Sequence, residues 1–259
     1  FQNVGLSIGA VNIAGDGSLG VQAQSFQDAS ASSVVNGDDP YAEVAWNNQV
    51  VGVLNTPISV GEDLQGVFVA AGLEGSANAR SETGSNGTVA WAGEDAQVAG
   101  FQDSELNVGG SIVPGQGVQP PLQVIASSDL QATARSQGDD VAAFAGGGLF
   151  DLSGASVVGI DNTDITVGGT GLIDVNVTGN VEASATTSNG GSAVAAAVNT
   201  AVGVRDSDIF FGNGTGAEVL NIDVQQTGSA TAIGSEDPSF NQLGASLVLE
   251  AAGVQFGLG

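Results

Sequence analysis

The sequence predicts an all-β protein, a β-solenoid (parallel β-helix) of about ten coils of ~24 residues each. Three observations carry this expectation. A glycine box returns along the chain, an Ala-x-Ala marker falls between successive boxes, and the apolar alternation changes parity inside the box. The alternative reading of the same periodicity is an antiparallel meander of long strands, or a β-sandwich.

The box is clearest at Gly159-Ile-Asp-Asn-Thr-Asp-Ile-Thr-Val-Gly168: a glycine, an apolar residue, a polar corner, Ile or Leu, Val and a closing glycine. It returns at Gly52–Gly61, Gly100–Gly109 and Gly203–Gly212, with a worn copy at Gly5 and a cut-off copy at Gly253-Val-Gln-Phe256. The marker reads Ala29-Ser-Ala31, Ala77-Asn-Ala79, Ala132-Thr-Ala134, Ala183-Ser-Ala185 and Ala230-Thr-Ala232. Box and marker alternate at a half-repeat of roughly 24 residues. A single repeat domain over residues 1–259 follows, with imperfect ~48-residue units beginning near positions 5, 52, 100, 159 and 203 and a truncated copy at 253.

Each marker ends a long alternating run. Ile173, Val175, Val177, Gly179, Val181, Ala183 and Ala185 occupy one parity, and Asp174, Asn176, Thr178, Asn180 and Glu182 the other, which predicts a strand with one buried and one wet face. Gly75, Gly179 and Gly228 are read as one recurrent bend. Within the box, Val158 and Ile160 lie on one parity and Ile165 and Val167 on the other. A straight strand cannot reverse its buried face, so a corner is expected at Asp161–Asp164, and this favours the solenoid. Ten coils at ~4.8 Å would stack to a rod on the order of 50 Å long.

Composition narrows the function. The chain has 41 glycines, 42% hydrophobic residues and only 5% aromatics, a mixture suited to short turns and strands rather than helices or disorder. The net charge is −25, lysine is absent, and the three cations are Arg80, Arg135 and Arg205. Such a surface repels phosphate, so no nucleic acid partner is expected. No apolar run reaches the length of a spanning helix, so no membrane insertion is expected. Cys, His and Met are all absent. That removes the thiolate nucleophile, the commonest general base and the commonest transition-metal ligand, and the chain reads as a non-enzyme. The start at Phe1 without Met leads to the expectation of a processed, exported chain, extracellular or on a cell surface.

The Gly-apolar-x-x-Ser/Thr-x-Ile-x-Val-Gly box interleaved with Ala-x-Ala runs resembles the β-strand repeats of very large cyanobacterial and other bacterial surface proteins. More loosely it is similar to the parallel β-helices of filamentous haemagglutinin, autotransporter passengers and pectate lyases. The resemblance implies a secreted or surface-attached fibrous protein, often with acidic, cation-binding edges. The departures from it are two irregular inserts, Val113–Leu122 with its prolines and Gly146–Ser156.

The acidic corners are the candidate metal ligands. Asp103, Glu105, Asp161, Asp164, Asp206 and Asp208 would stack some two coils apart as a carboxylate column, and hard oxygens of this kind suit calcium. Solvated corners that keep a rod soluble are the plainer reading. No other cofactor is expected. Arg80 and Arg135 follow the marker at equivalent places and are expected to pair with carboxylates. Tyr41, Trp46, Trp91 and Phe144 fall after turns, with Trp46, Trp91 and Phe144 expected to stack as an aromatic ladder. Both ends carry strand-like boxes. Val4, Gly5, Leu6 and Ile8 at the start, and Gly253, Val254 and Phe256 at the finish, are the expected assembly residues of a head-to-tail homopolymeric filament. The alternatives are a surface adhesin, a carbohydrate-binding rod that meets polysaccharide through the Val113–Leu122 insert and the aromatic ladder, and a virion fibre component.

Overall fold

The computed structural model describes residues 2–13, 17–34, 39–82, 87–113, 122–138, 140–147, 154–188, 190–212, 219–234 and 243–249. All regular structure there is strand. The chain makes successive passages through the same set of sheets. The first passage lays down β1 (Gln2–Leu6), β2 (Val11–Ile13), β3 (Leu19–Ser33) and β4 (Tyr41–Val44). The second lays down β5 (Gln49–Leu54), β6 (Pro57–Val60), β7 (Leu64–Gln65), β8 (Val67–Ser81) and β9 (Thr88–Ala92). The third repeats this as β10 (Gln97–Gln102), β11 (Glu105–Val108), β12 (Ile112–Val113), β13 (Leu122–Gln137) and β14 (Val141–Ala145). The fourth has β15 (Ala155–Asp161), β16 (Asp164–Val167) and β17 (Leu172–Ser188). It then runs into the long β18 (Ala193–Arg205), which opens the fifth, with β19 (Ile209–Phe211), β20 (Val219–Ile233) and β21 (Leu243–Leu249).

Every pairing among the described residues is parallel. Sheet A is nine-stranded, in the order β1-β5-β10-β15-β18-β14-β9-β4, with β21 also on β18. Sheet B runs β19-β16-β11-β6-β2, sheet C runs β20-β17-β13-β8-β3, and β12 pairs β7. The rows are in register. Leu19, Val67, Leu122, Ile173 and Leu220 form one, and Ala29, Ala77, Ala132, Ala183 and Ala230 form another.

These pairings correct the expected fold. A β-solenoid of about ten ~24-residue coils is not what forms: among the described residues no closed coil of that length exists, and the strands belong to several separate parallel sheets. The glycine box pairs only with other boxes, in sheets A and B, and the Ala-x-Ala run only with its like, in sheet C. The half-repeats are chemically different, so like stacks on like only at the full spacing of ~48 residues. The antiparallel meander or sandwich is equally excluded. Five stacked strands at ~4.8 Å span about 20 Å, less than half the expected rod.

The core fills the space between the sheets. A single apolar cluster takes Val50 and Val53 from sheet A, Ile58 and Leu106 from sheet B, Val69 and Val124 from sheet C, and Leu64 and Ile112 from the short pair. Glycine in the box is explained by proximity. A Cβ at Gly159 would lie 2.3 Å from Val175 Cγ1 on sheet C and 2.6 Å from the Gly203 carbonyl oxygen, and Gly52 and Gly100 are crowded in the same way. The valine row of sheet C thus sits directly against the sheet A backbone.

The bend in sheet C also differs from expectation. Gly75 and Gly228 share a row with Gln27, Leu130 and Val181, but Gly179 lies two residues earlier, level with Ser25, Leu73 and Ser128 wherever pairing defines it. Its missing side chain makes room for something else: a Cβ there would meet the amide nitrogen of buried Asn199 at 2.3 Å.

Candidate functional site

The polar corner of the box is a backbone device. Asn55, Asp103, Asn162 and Asp206 all have positive φ, between 43° and 50°. Asn and Asp are the non-glycine residues that tolerate this left-handed conformation best. Each is followed by a hydroxyl residue, and these hydroxyls are buried: Thr56, Ser104, Thr163 and Ser207. They form a column. The backbone N–H of Thr56 donates to Ser104 Oγ (3.1 Å), that of Ser104 to Thr163 Oγ1 (3.1 Å), and that of Thr163 to Ser207 Oγ (2.9 Å). Each hydroxyl also donates to the carbonyl two residues before it in its own passage, at 2.7–2.8 Å. Ile8 N–H starts the column by donating to Thr56 Oγ1 (3.1 Å), and Ile8 itself brings no hydroxyl.

Against this frame the six acidic candidates separate. Asp103 and Asp206 are the left-handed corner residues, one passage apart from Asn162 rather than from another acid, and Asn162 Nδ2 donates to Asp103 Oδ1 (2.6 Å). Glu105, Asp164 and Asp208 stand in the neighbouring row on the outer side of sheet B, where Asn107 Nδ2 donates to Glu105 Oε1 (2.6 Å) and the Asp208 N–H to Asp164 Oδ1 (3.3 Å). Asp161 is buried at the end of β15 and is gripped bidentately by Arg205, Nε to Oδ1 at 2.8 Å and Nη2 to Oδ2 at 2.6 Å. In the corner row carboxylate alternates with amide, whereas Glu105, Asp164 and Asp208 follow one another in theirs. Among the described residues no group of three or more acidic side chains converges as a metal cage would require.

The assembly candidates fall partly outside the described residues, where Gly253, Val254 and Phe256 lie. Val4, Gly5 and Leu6 lie on β1, which pairs β5 along one side. Ile8 follows it and is half exposed. Most of Val113–Leu122 and Gly146–Ser156 also lies outside the described residues. Of the aromatic ladder, two rungs form: Trp91 and Phe144 are register partners with ring centroids 4.5 Å apart. Glu43, not Trp46, holds the matching place in β4. Trp46 is instead displaced into the turn between Ala45 and Asn47, both at positive φ, and is exposed. Tyr41 donates to Glu43 Oε2 (3.0 Å), and burial, then this bond and the nearby Glu43 and Glu94 charges, push its hydroxyl up to about 12. Arg80 pairs with Glu82 (3.2 Å) at an exposed position.

Two concave features lie among the described residues. On sheet B a hollow of ≈ 470 Å³ is lined by Asn12, Ser59, Asn107 and Thr166 over the glycine strip Gly61, Gly109 and Gly168. Stacking accounts for Gly109 and Gly168, since a Cβ at Gly109 would lie 2.7 Å from the Gly61 carbonyl oxygen and one at Gly168 2.3 Å from that of Gly109. On the outer face of sheet C two hollows share Asp129 and Gln131 and so join into one groove across all five strands. Its sides are two rows of outward residues. One runs Phe26, Glu74, Asp129, Asn180, Thr227, and the other Asp28, Ser76, Gln131, Glu182, Ser229. The groove follows the Gly75 row, where an added Cβ would meet Leu130 at 3.1 Å and Val44 at 3.4 Å. Sequence reasoning placed Asn180 and Glu182 on the wet parity of their strand but did not join them to these rows, because the row partners are set by the ~48-residue register.

No family model, curated protein or solved structure matches this chain. The functional reading therefore stands on the geometry.

Proposed function

We propose that the protein is a structural subunit of an extracellular filament, built by end-to-end stacking of copies through the open edges of its parallel sheets. One observation carries this reading. The outermost strands of sheet C, β3 and β20, are each 15 residues long, carry the same inward ladder, and have no partner on their outer edge among the described residues. The ladder on β20 is incompletely covered: Ile222 is 40% exposed, whereas its row-mates Val69, Val124 and Val175 are fully buried.

Placing β3 of a second copy on β20 extends the register without change. Leu220 then meets Leu19, Ile222 meets Val21 and Ala230 meets Ala29, each apolar against apolar. The same screw step would bring Gln2 of the incoming β1 onto Thr200, so the last two residues of β21, which lie on Thr200 and Ala201, give way to it. The contact joins two different surfaces and does not close, so it propagates.

Sedimentation velocity and negative-stain microscopy over a concentration series test the proposal. The expected result is concentration-dependent growth into unbranched rods, lost in Ile222→Lys, which sets a charge on the uncovered end of the core. A concentration-independent monomer, or rods unaffected by Ile222→Lys, overturns it.

A further inference from the structure

We infer that the groove on the outer face of sheet C binds a neutral linear polysaccharide, lying across the strands along the stacking direction. The groove is complete within one copy, so this inference does not rest on filament assembly.

The chemistry of the lining selects the ligand. Planar acceptors and donors (Glu74, Asp129, Gln131, Asn180, Glu182) alternate at the strand spacing of ~4.8 Å. Carboxylates and amides of this kind bridge the vicinal hydroxyls of a sugar, forming charge-assisted bonds that a uniform hydroxyl surface would lack. Two of the carboxylates, Glu74 and Asp129, are direct register neighbours. Their nearest cations along the sheet, Arg80 and Arg135, lie six residues further on, about 20 Å away at ~3.3 Å per residue, and Arg80 is held by Glu82. The carboxylates are therefore left to face solvent or a ligand. Inside the groove Gln131 Nε2 donates to Asp129 Oδ1 (3.4 Å) and Thr227 Oγ1 to Asn180 Oδ1 (2.6 Å), which sets the orientation of these groups.

The second, independent observation is Phe26. It opens the first row of the groove and is 64% exposed, the largest apolar side chain in a mostly polar cleft. A ring presented beside carboxylates and amides is the arrangement that stacks on the apolar face of a pyranose while its edge hydroxyls are bonded. A net charge of −25 excludes anionic polymers. The groove's length, four strand intervals or about 19 Å, suits a short run of linked sugar rings rather than a single one.

Affinity electrophoresis of the intact chain tests this, with hydroxyethyl cellulose, soluble starch, laminarin and galactomannan in the gel as neutral probes, alginate as the anionic one and chitosan oligosaccharide as the cationic one. Retardation is expected with at least one neutral polymer and none with alginate. Phe26→Ala and the double variant Glu74→Gln/Asp129→Asn should each weaken it about tenfold, with an unchanged circular dichroism spectrum; both alter exposed side chains. No retardation by any neutral probe, retardation by chitosan oligosaccharide alone, or neutral binding that survives both variants overturns the inference.

Discussion

The corner column shows how little of a repeat has to be constant for the fold to close. Across four boxes the corner residue alternates between amide and acid, whereas the residue after it is always Ser or Thr. That hydroxyl accepts one backbone N–H from the preceding passage and satisfies one carbonyl of its own. Thr163→Val keeps the shape but strands the buried Ser104 N–H, while the Asp161 carbonyl keeps the Asp103 N–H, at a cost of about 1–3 kcal/mol. Urea unfolding should register this loss, and Thr163→Ser should restore most of it. Equal stability of the Val and Ser variants would remove the column from the account. The corner itself was legible from the parity change at Asp161–Asp164. Its backbone role was not legible, because a left-handed φ leaves no mark in a sequence beyond a preference for Asn and Asp, letters that equally fit a solvated corner or a cation site.

At the scale of the strand, the long alternating runs announced their length and their buried face, and β3, β8, β13, β17 and β20 follow them closely. The sequence did not disclose which run lies beside which. Box and marker recur at nearly equal half-intervals, so counting alone fits either a short coil or one twice as long, and only side-chain complementarity decides. Gly179 illustrates the limit: its spacing matches Gly75 and Gly228, yet it makes room for Asn199 two residues away from their row. The box glycines are tied to sheet packing more firmly. Gly159→Ala places a methyl against Val175 and against the Gly203 carbonyl, a backbone atom with no rotamer to escape into. Its expected cost is about 1–3 kcal/mol in a thermal or denaturant melt. Gly87→Ala, with nothing within 4 Å of the new carbon, should melt like the parent.

For the molecule as a whole, the charge that keeps single copies apart works against stacking. Each copy carries −25, and the range of that repulsion shrinks from about 30 Å at 0.01 M salt to about 8 Å at 0.15 M. Rod growth followed by light scattering should therefore rise with ionic strength. Polysaccharide binding in the sheet C groove, which involves no ligand charge, should stay nearly flat across the same range. A filament that dissolves as salt is added would contradict an apolar end contact. Stacked copies would also align their grooves into one continuous trough, so a long glycan could bridge subunits and hold them by many weak contacts at once.

The hydroxyl column has one more consequence. All of its N–H donors point the same way, from Ile8 towards Ser207. The two faces of the stack are therefore chemically unlike, with an aliphatic residue at one pole and a serine at the other. A polymer of such pieces carries an arrow: monomers must all join in one sense, the two tips should grow at different speeds, and an Ile8→Thr change, which supplies the missing acceptor at the trailing pole, should quicken addition there.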